Sequence, residues 1–313
     1  VERKLFSARY GNMWIEITLL AGCLQTIRNS IAKSLAGKIS PALNSWSRFT
    51  FNLPFSVLLV SLLVYQRGVP ETSWIFLCYC CATAVTQLLG NIALVAAFQR
   101  ANFAQSIVFH KLEVLFTAIL GALFFSEWPS FLGWIGVWCC GGGILLMNLG
   151  RDTQGQPWRR AFSIDTGAGL ALACAFLLVI ASFMLKEAVF QLRGDNAEWA
   201  AGYFGSAAYT LFHTTWIEVV ILTVFLWFRE GQEFHKVRQY WQRMALIGFT
   251  GFAGSLGWYW AFSLTLVAYV KAVGLIEAIL SVGIALFVWE EKEVLKQIPG
   301  VCLIVLGIVL VLL

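Results

Sequence analysis

A few ionisable side chains in this chain stand where nothing around them is polar. Glu113 lies roughly ten residues inside an apolar run, with Lys111 and His110 just before it. Glu277 sits equally deep in a later run, preceded by Lys271. An ionisable group at the centre of a membrane helix costs about 2.5–3.5 kcal/mol on insertion scales. Such groups must therefore face a cavity, the bundle interior or one another. His110 and Glu113 are three apart and share one face of a continuous helix, a spacing suited to relaying a proton. Lys111 points about 100° away from His110. Buried carboxylates beside lysines suit the binding of charged cargo or coupling to an ion.

Further candidates are spread along the chain. Gln25, Arg28, Asn29 and Lys33 form a polar stripe at helical spacing, with Glu16 earlier on the same segment. Arg48, His213 and Glu218 lie within other apolar runs. Trp258, Tyr259 and Trp260 follow Gly248, Gly251, Gly254 and Gly257. Glycines three apart let another helix approach closely, and rings at that depth can wall a cavity or stack on cargo. Glu127 and Glu291 fall at segment exits, where a hinge or interface role is expected.

Enzymatic chemistry finds little support. There is no paired-aspartate set, Ser–His pair or H-E-x-x-H helix. The eight cysteines lie in apolar runs without zinc-site spacing, so no metal or other cofactor is expected. The Cys139–Gly143 stretch lacks the Gly-Lys-Ser/Thr ending of a phosphate loop.

The elements that hold these residues follow from composition. Of 313 residues, 59% are hydrophobic and 12% charged, with a mean hydropathy of +0.75. Soluble domains carry about 25% charged residues, so a polytopic membrane protein is expected. A net charge of +5 brings no basic run with interleaved aromatics, which excludes nucleic acid as a partner. Apolar runs predict an all-α protein of about ten transmembrane spans, at 14–36, 42–65, 74–98, 103–125, 130–149, 166–186, 206–228, 244–261, 267–289 and 298–313. Polar stretches lie at 150–164 and 229–243. The Val start and the apolar end point to trimming at both ends.

Sliding the chain by 164 residues lays Ala97-Phe98 on Ala261-Phe262, Glu113 on Glu277, Glu127 on Glu291, Gly136 on Gly300 and Gly143 on Gly307. The chain thus reads as a first five-helix repeat at 1–150, a connecting loop at 151–164 and a second repeat at 165–313. Five spans is an odd number, so the repeats must be inverted in the membrane. By that symmetry Glu113 and Glu277 both approach the midplane, each with a lysine on its own helix.

These duplicated residues, with Ser126-Glu127 and Gly143-Ile144-Leu145-Leu146 echoed by Glu290-Glu291 and Gly307-Ile308-Val309-Leu310, resemble the closing signature of an EamA-type repeat. The chain resembles a ten-helix member of the drug/metabolite transporter superfamily over nearly its whole length. The resemblance implies alternating access, a small-molecule substrate, a bacterial inner membrane and cytoplasmic termini. One departure is that the family usually has Pro after the first glutamate, where this chain has Val114 and Ala278. The loop charges also disagree. Six Lys and Arg fall on the N-terminal side and eleven opposite, which alone places the N-terminus outside.

The expected function is secondary transport of a small polar metabolite, with protons as a candidate coupling ion. The bases Arg28, Lys111 and Lys271 balance the acids Glu113, Glu218 and Glu277, which favours an amino acid or similar zwitterion. The candidate substrate or coupling residues are Glu113, Glu277, Lys111, Lys271, His110, Arg28, Asn29, Trp258, Trp260 and His213. A lipid or lipid-linked-sugar flippase of the same fold is the alternative, and an intramembrane enzyme a more distant one.

Overall fold

Pro54 decides the first departure from a simple list of spans. Proline has no N–H and is tolerated only in a first helical turn, so the expected span at 42–65 is two helices. In the computed structural model, which describes residues 12–35, 37–100, 109–149, 166–287 and 292–313, α1 (Met13–Leu35) is followed by α2 (Pro41–Thr50) and α3 (Leu53–Arg67). Ser40 caps α2 by accepting from the Leu43 N–H at 3.1 Å. Gly68, at φ +80°, ends α3 in a conformation that favours glycine.

The remaining helices are α4 (Trp74–Arg100), α5 (Glu113–Phe124), α6 (Phe131–Leu149), α7 (Thr166–Asp195), α8 (Tyr203–Arg229), α9 (His235–Leu264), α10 (Val267–Val273), α11 (Ile276–Phe287) and α12 (Ile298–Leu312). No strand occurs among the described residues. Five segments are long and apolar enough to cross a membrane alone: Pro41–Arg67, Trp74–Leu94, Thr166–Asp195, Tyr203–Arg229 and Leu295–Leu312. The other helices fall short for visible reasons. α1 carries its polar stripe, α9 begins with charged turns, and α5, α10 and α11 are short pieces.

The polar stretch at 229–243 is a second correction. Only 230–234 links the helices, and α9 starts at His235, nine residues before the expected Met244. Its first turns are amphipathic. Val237 and Tyr240 pack with Phe234 against the core of Leu35, Leu43, Leu226, Met244 and Ile247, leaving the charges on the other side. The loop at 150–164, the start of the expected span at 103–108 and Glu290-Glu291 lie outside the described residues, and so does the side chain of Lys33.

The chain divides into two compact units. One comprises 1–85 and 184–264, the other 86–183 and 265–313, so each draws helices from both sequence halves. In the first unit α9 packs on α1. A Cβ on Gly257 would lie 2.9 Å from the Ala21 Cβ, and one on Gly248 would run into Phe51. Here the glycine spacing serves close helix packing, as its periodicity predicts.

In the second unit α6 and α12 lie antiparallel. A Cβ on Gly136 would come within 2.6 Å of the Gly307 carbonyl oxygen, and one on Gly307 within 2.6 Å of the Gly136 oxygen. Gly143 and Gly300 face each other the same way, at 2.7 and 2.5 Å. All four glycines matched by the 164-residue offset are therefore used in one contact. Val137, Cys140, Ile144 and Ile304 fill the core around it.

Candidate functional site

The second unit places its acids and bases at two helix breaks. Residues 109–111 are helical, the chain turns at Leu112, and α5 resumes at Glu113. Likewise α10 stops at Val273, turns through Gly274 and Leu275, and α11 resumes at Ile276. No proline is needed. The Leu115 N–H bonds to the Leu112 carbonyl at 3.0 Å, and the Glu277 and Ala278 N–H groups bond to Gly274 and Leu275 at 3.2 and 2.9 Å. These three-residue closures tighten the helix locally and interrupt the regular ladder. The missing family proline at Val114 and Ala278 is thus replaced by a tightened turn just upstream.

Each break creates a helix N-terminus and a helix C-terminus. Glu113 and Glu277 occupy the first turns of α5 and α11, and Lys271 the last turn of α10. Lys111 ends the helical stretch at 109–111. Acids at N-termini and bases at C-termini are the arrangement that helix dipoles favour.

The pairing crosses between the broken helices. Lys271 Nζ donates to Glu113 Oε2 at 3.0 Å, and Lys111 Nζ lies 3.7 Å from Glu277 Oε2. Each glutamate thus meets the lysine of the other helix rather than the one on its own. Lys111 and Glu113 are two residues apart and do not face each other. Lys271 and Glu277 are six apart, about 9 Å along the axis. Both glutamates are buried.

His110 lies close enough to Glu113 for the two to interact electrostatically. The turn at Leu112 falls between it and Glu113, and the Cys174 Sγ lies 3.4 Å from its Nδ1. Glu127, expected at a hinge, accepts the Val267 N–H at 2.8 Å and so holds the start of α10 against the exit of α5. Tyr269 accepts the Ser130 N–H at 2.9 Å and donates to the Ser130 hydroxyl at 3.2 Å. Neither fastening was foreseen; only the position of Glu127 at a segment exit signalled it.

The other candidates belong to the first unit. Arg28 is buried and donates from Nη2 and Nε to Asn29 Oδ1 at 2.9 and 3.3 Å. Trp258 Nε1 donates to Gln25 Oε1 at 3.0 Å, and its ring stacks on Phe262. Trp260 packs edge-on against Phe204. His213 is held by aromatic rings: Phe76, Tyr209 and Phe212 lie 4.5–5.3 Å from it by ring centroids. Its Nδ1 meets the Tyr209 carbonyl at 3.1 Å.

A polytopic helical bundle with ion pairs at broken helices has the architecture of a membrane transporter, because interrupted helices present charged groups and free backbone ends inside the membrane. Residues 12–149 match the model of the EamA-like transporter family, which falls within the drug/metabolite transporter superfamily. A solved structure titled only as the crystal structure of a protein superposes with a TM-score of 0.62 at 17% identity, covering 96% of this chain and 96% of its own. At that identity the likeness is one of fold. No curated protein matches the chain.

Proposed function

We propose that this integral membrane transporter moves a small organic zwitterion, such as an amino acid, by alternating access. The observation that carries the reading is the crossed pairing of Lys271 with Glu113 and Lys111 with Glu277. A buried lysine or glutamate left alone is strongly disfavoured. A cargo carrying one carboxylate and one ammonium can part such a pair, take both places and leave no net charge behind. A single-charge cargo satisfies one partner and strands the other. The 164-residue offset that lays Gly136 on Gly300 and Gly143 on Gly307 supports two inverted five-helix repeats, at 1–150 and 165–313.

In this reading Glu113, Glu277, Lys111 and Lys271 meet the cargo, with His110 beside them. Arg28, Asn29, Trp258, Trp260 and His213 serve the first unit. The membrane is a bacterial inner membrane with both termini cytoplasmic, which puts Gln232 outside. A single cysteine there, in a cysteine-free background, should label from the exterior of intact cells; protection reverses the orientation.

The function is tested by thermal unfolding of the purified protein with a metabolite panel. Zwitterions should stabilise it more than their carboxylate-only or amine-only analogues, and Glu113→Gln should abolish the difference. Equal stabilisation by single-charge analogues overturns the cargo class.

A further inference from the structure

Glu218 is the most deeply buried acid among the described residues, at 1% exposure, and it lies sixteen residues into the 27-residue α8. Unlike Glu113 and Glu277, it stands in an unbroken helix. Among the described residues its Oε1 is buried without a hydrogen-bond partner. Thr215, three residues earlier on the same face, also has a buried hydroxyl without a partner. Facing α8, α2 contributes Arg48, whose Nε is buried and unsatisfied, and Thr50, whose hydroxyl is likewise unsatisfied.

The charged and titratable groups around Glu218 are few. Arg48 from α2 is the nearest cation to act on it; the guanidinium is engaged by Ser255 at 3.5 Å and by the Phe49 ring. From α9 comes Tyr259, whose hydroxyl is taken by Thr214 at 2.8 Å. From α1 comes Arg28, whose stem lies with that of Arg48 over Gly251 and whose guanidinium bonds Asn29. On α3, Tyr65 is exposed, and Arg67 lies by Gly205 and Trp199. On α8 itself, Tyr209 and His213 are occupied with each other and Phe76.

A buried carboxylate in such a setting lacks the hydrogen bonds that would stabilise its charge. A bound proton removes the charge and turns one carboxyl oxygen into a hydrogen-bond donor. We propose that Glu218 is a proton-binding carboxyl inside the membrane and the group through which this protein couples to protons. This assignment rests on the transporter reading for its purpose, but not for its chemistry. It moves proton coupling from Glu113, whose carboxylate accepts a hydrogen bond from Lys271, to an acid whose buried Oε1 accepts none among the described residues.

The test is infrared difference spectroscopy of the purified full chain between acid and alkaline pH. A protonated carboxyl shows a carbonyl stretch that a carboxylate lacks. The expected result is a titrating carboxyl band that Glu218→Gln removes and Glu113→Gln leaves in place. Absence of a titrating band, or its persistence in Glu218→Gln, overturns the proposal. If Glu218→Gln does not fold, Glu218→Asp must displace the band and its titration; an undisplaced band has the same contrary meaning. The experiment needs no cargo. Failure of every metabolite to stabilise the protein would therefore sink the transport reading and leave the proton site standing or falling on its own band.

Discussion

The two units bury similar charged residues and treat them in opposite ways. In 86–183 and 265–313, Glu113 and Glu277 each lie beside a lysine, at 3.0 and 3.7 Å. In 1–85 and 184–264, Glu218 Oε1 and Arg48 Nε are buried atoms that no described partner satisfies. The difference comes from backbone continuity. A broken helix supplies an N-terminus for the acid and a C-terminus for the base, so charges gather at the break with both dipoles in their favour. α8 has no break near Glu218 and offers no such end. In the function proposed above, saturated pairs form the site that a doubly charged ligand enters without loss. An unsaturated acid makes a site for the smallest ligand of all, a proton.

The largest expected effect breaks that comparison from the saturated side. Glu113→Gln leaves Lys271 buried without its counter-ion and should lower unfolding stability by about 3–5 kcal/mol. Glu218→Gln removes an unsatisfied charge at nearly constant shape and should change stability little or raise it. Thermal or denaturant unfolding of both variants in the same detergent reads the contrast. Comparable losses would show that Glu218 is satisfied after all.

Lys111→Met should cost less than Lys271→Met, because the Lys111–Glu277 separation of 3.7 Å exceeds a direct hydrogen bond while Lys271 donates at 3.0 Å. A double-mutant cycle for each pair ranks them. Equal coupling energies would indicate that the two breaks work symmetrically.

Trp258→Phe keeps the ring but loses the bond to Gln25, with an expected loss of about 0.5–1.5 kcal/mol. Cargo binding should weaken only if the ring touches cargo, so stability and affinity are measured together. A fall in stability alone assigns Trp258 to helix packing.

The smallest effect lies outside the spans. Lys236, 2.5 Å away, and the Ser40 N–H, 2.9 Å away, hold the Glu233 carboxyl below the usual carboxylate range. Its contribution is therefore complete above the ordinary carboxylate pKa and disappears as pH falls through the lowered value. At this surface position it is worth about 0–1 kcal/mol. Glu233→Gln should flatten the acid limb of stability against pH slightly; an unchanged limb removes the contribution.

Sequence periodicity made most of this molecule legible. Apolar runs locate the helices, although two expected spans are divided and α9 starts nine residues early. The glycines found by the 164-residue offset are those that let α6 and α12 touch. Glu113, Glu277 and their lysines were visible as acids and bases in apolar surroundings. Their partners were not, because pairing depends on how two helices cross, and the offset carries neither lysine onto the other. Gly274 marks one break, whereas Leu112 carries no such signal. The early start of α9 was hidden by the charges on its exposed side. Glu218 looked like one interior acid among several; what distinguishes it is a buried carboxyl oxygen without a hydrogen bond among the described residues, which only three-dimensional neighbours reveal.

The central claim is that crossed acid–base pairs select cargo bearing both charges. The most direct measurement is counterflow in proteoliposomes preloaded with unlabelled neutral amino acids, using labelled amino acids, their amine-only analogues and their carboxylate-only analogues. Rapid exchange of the zwitterions with little exchange of either analogue, lost on Glu113→Gln, is the predicted result. Equal exchange of a single-charge analogue, or exchange unaffected by Glu113→Gln, would contradict the account.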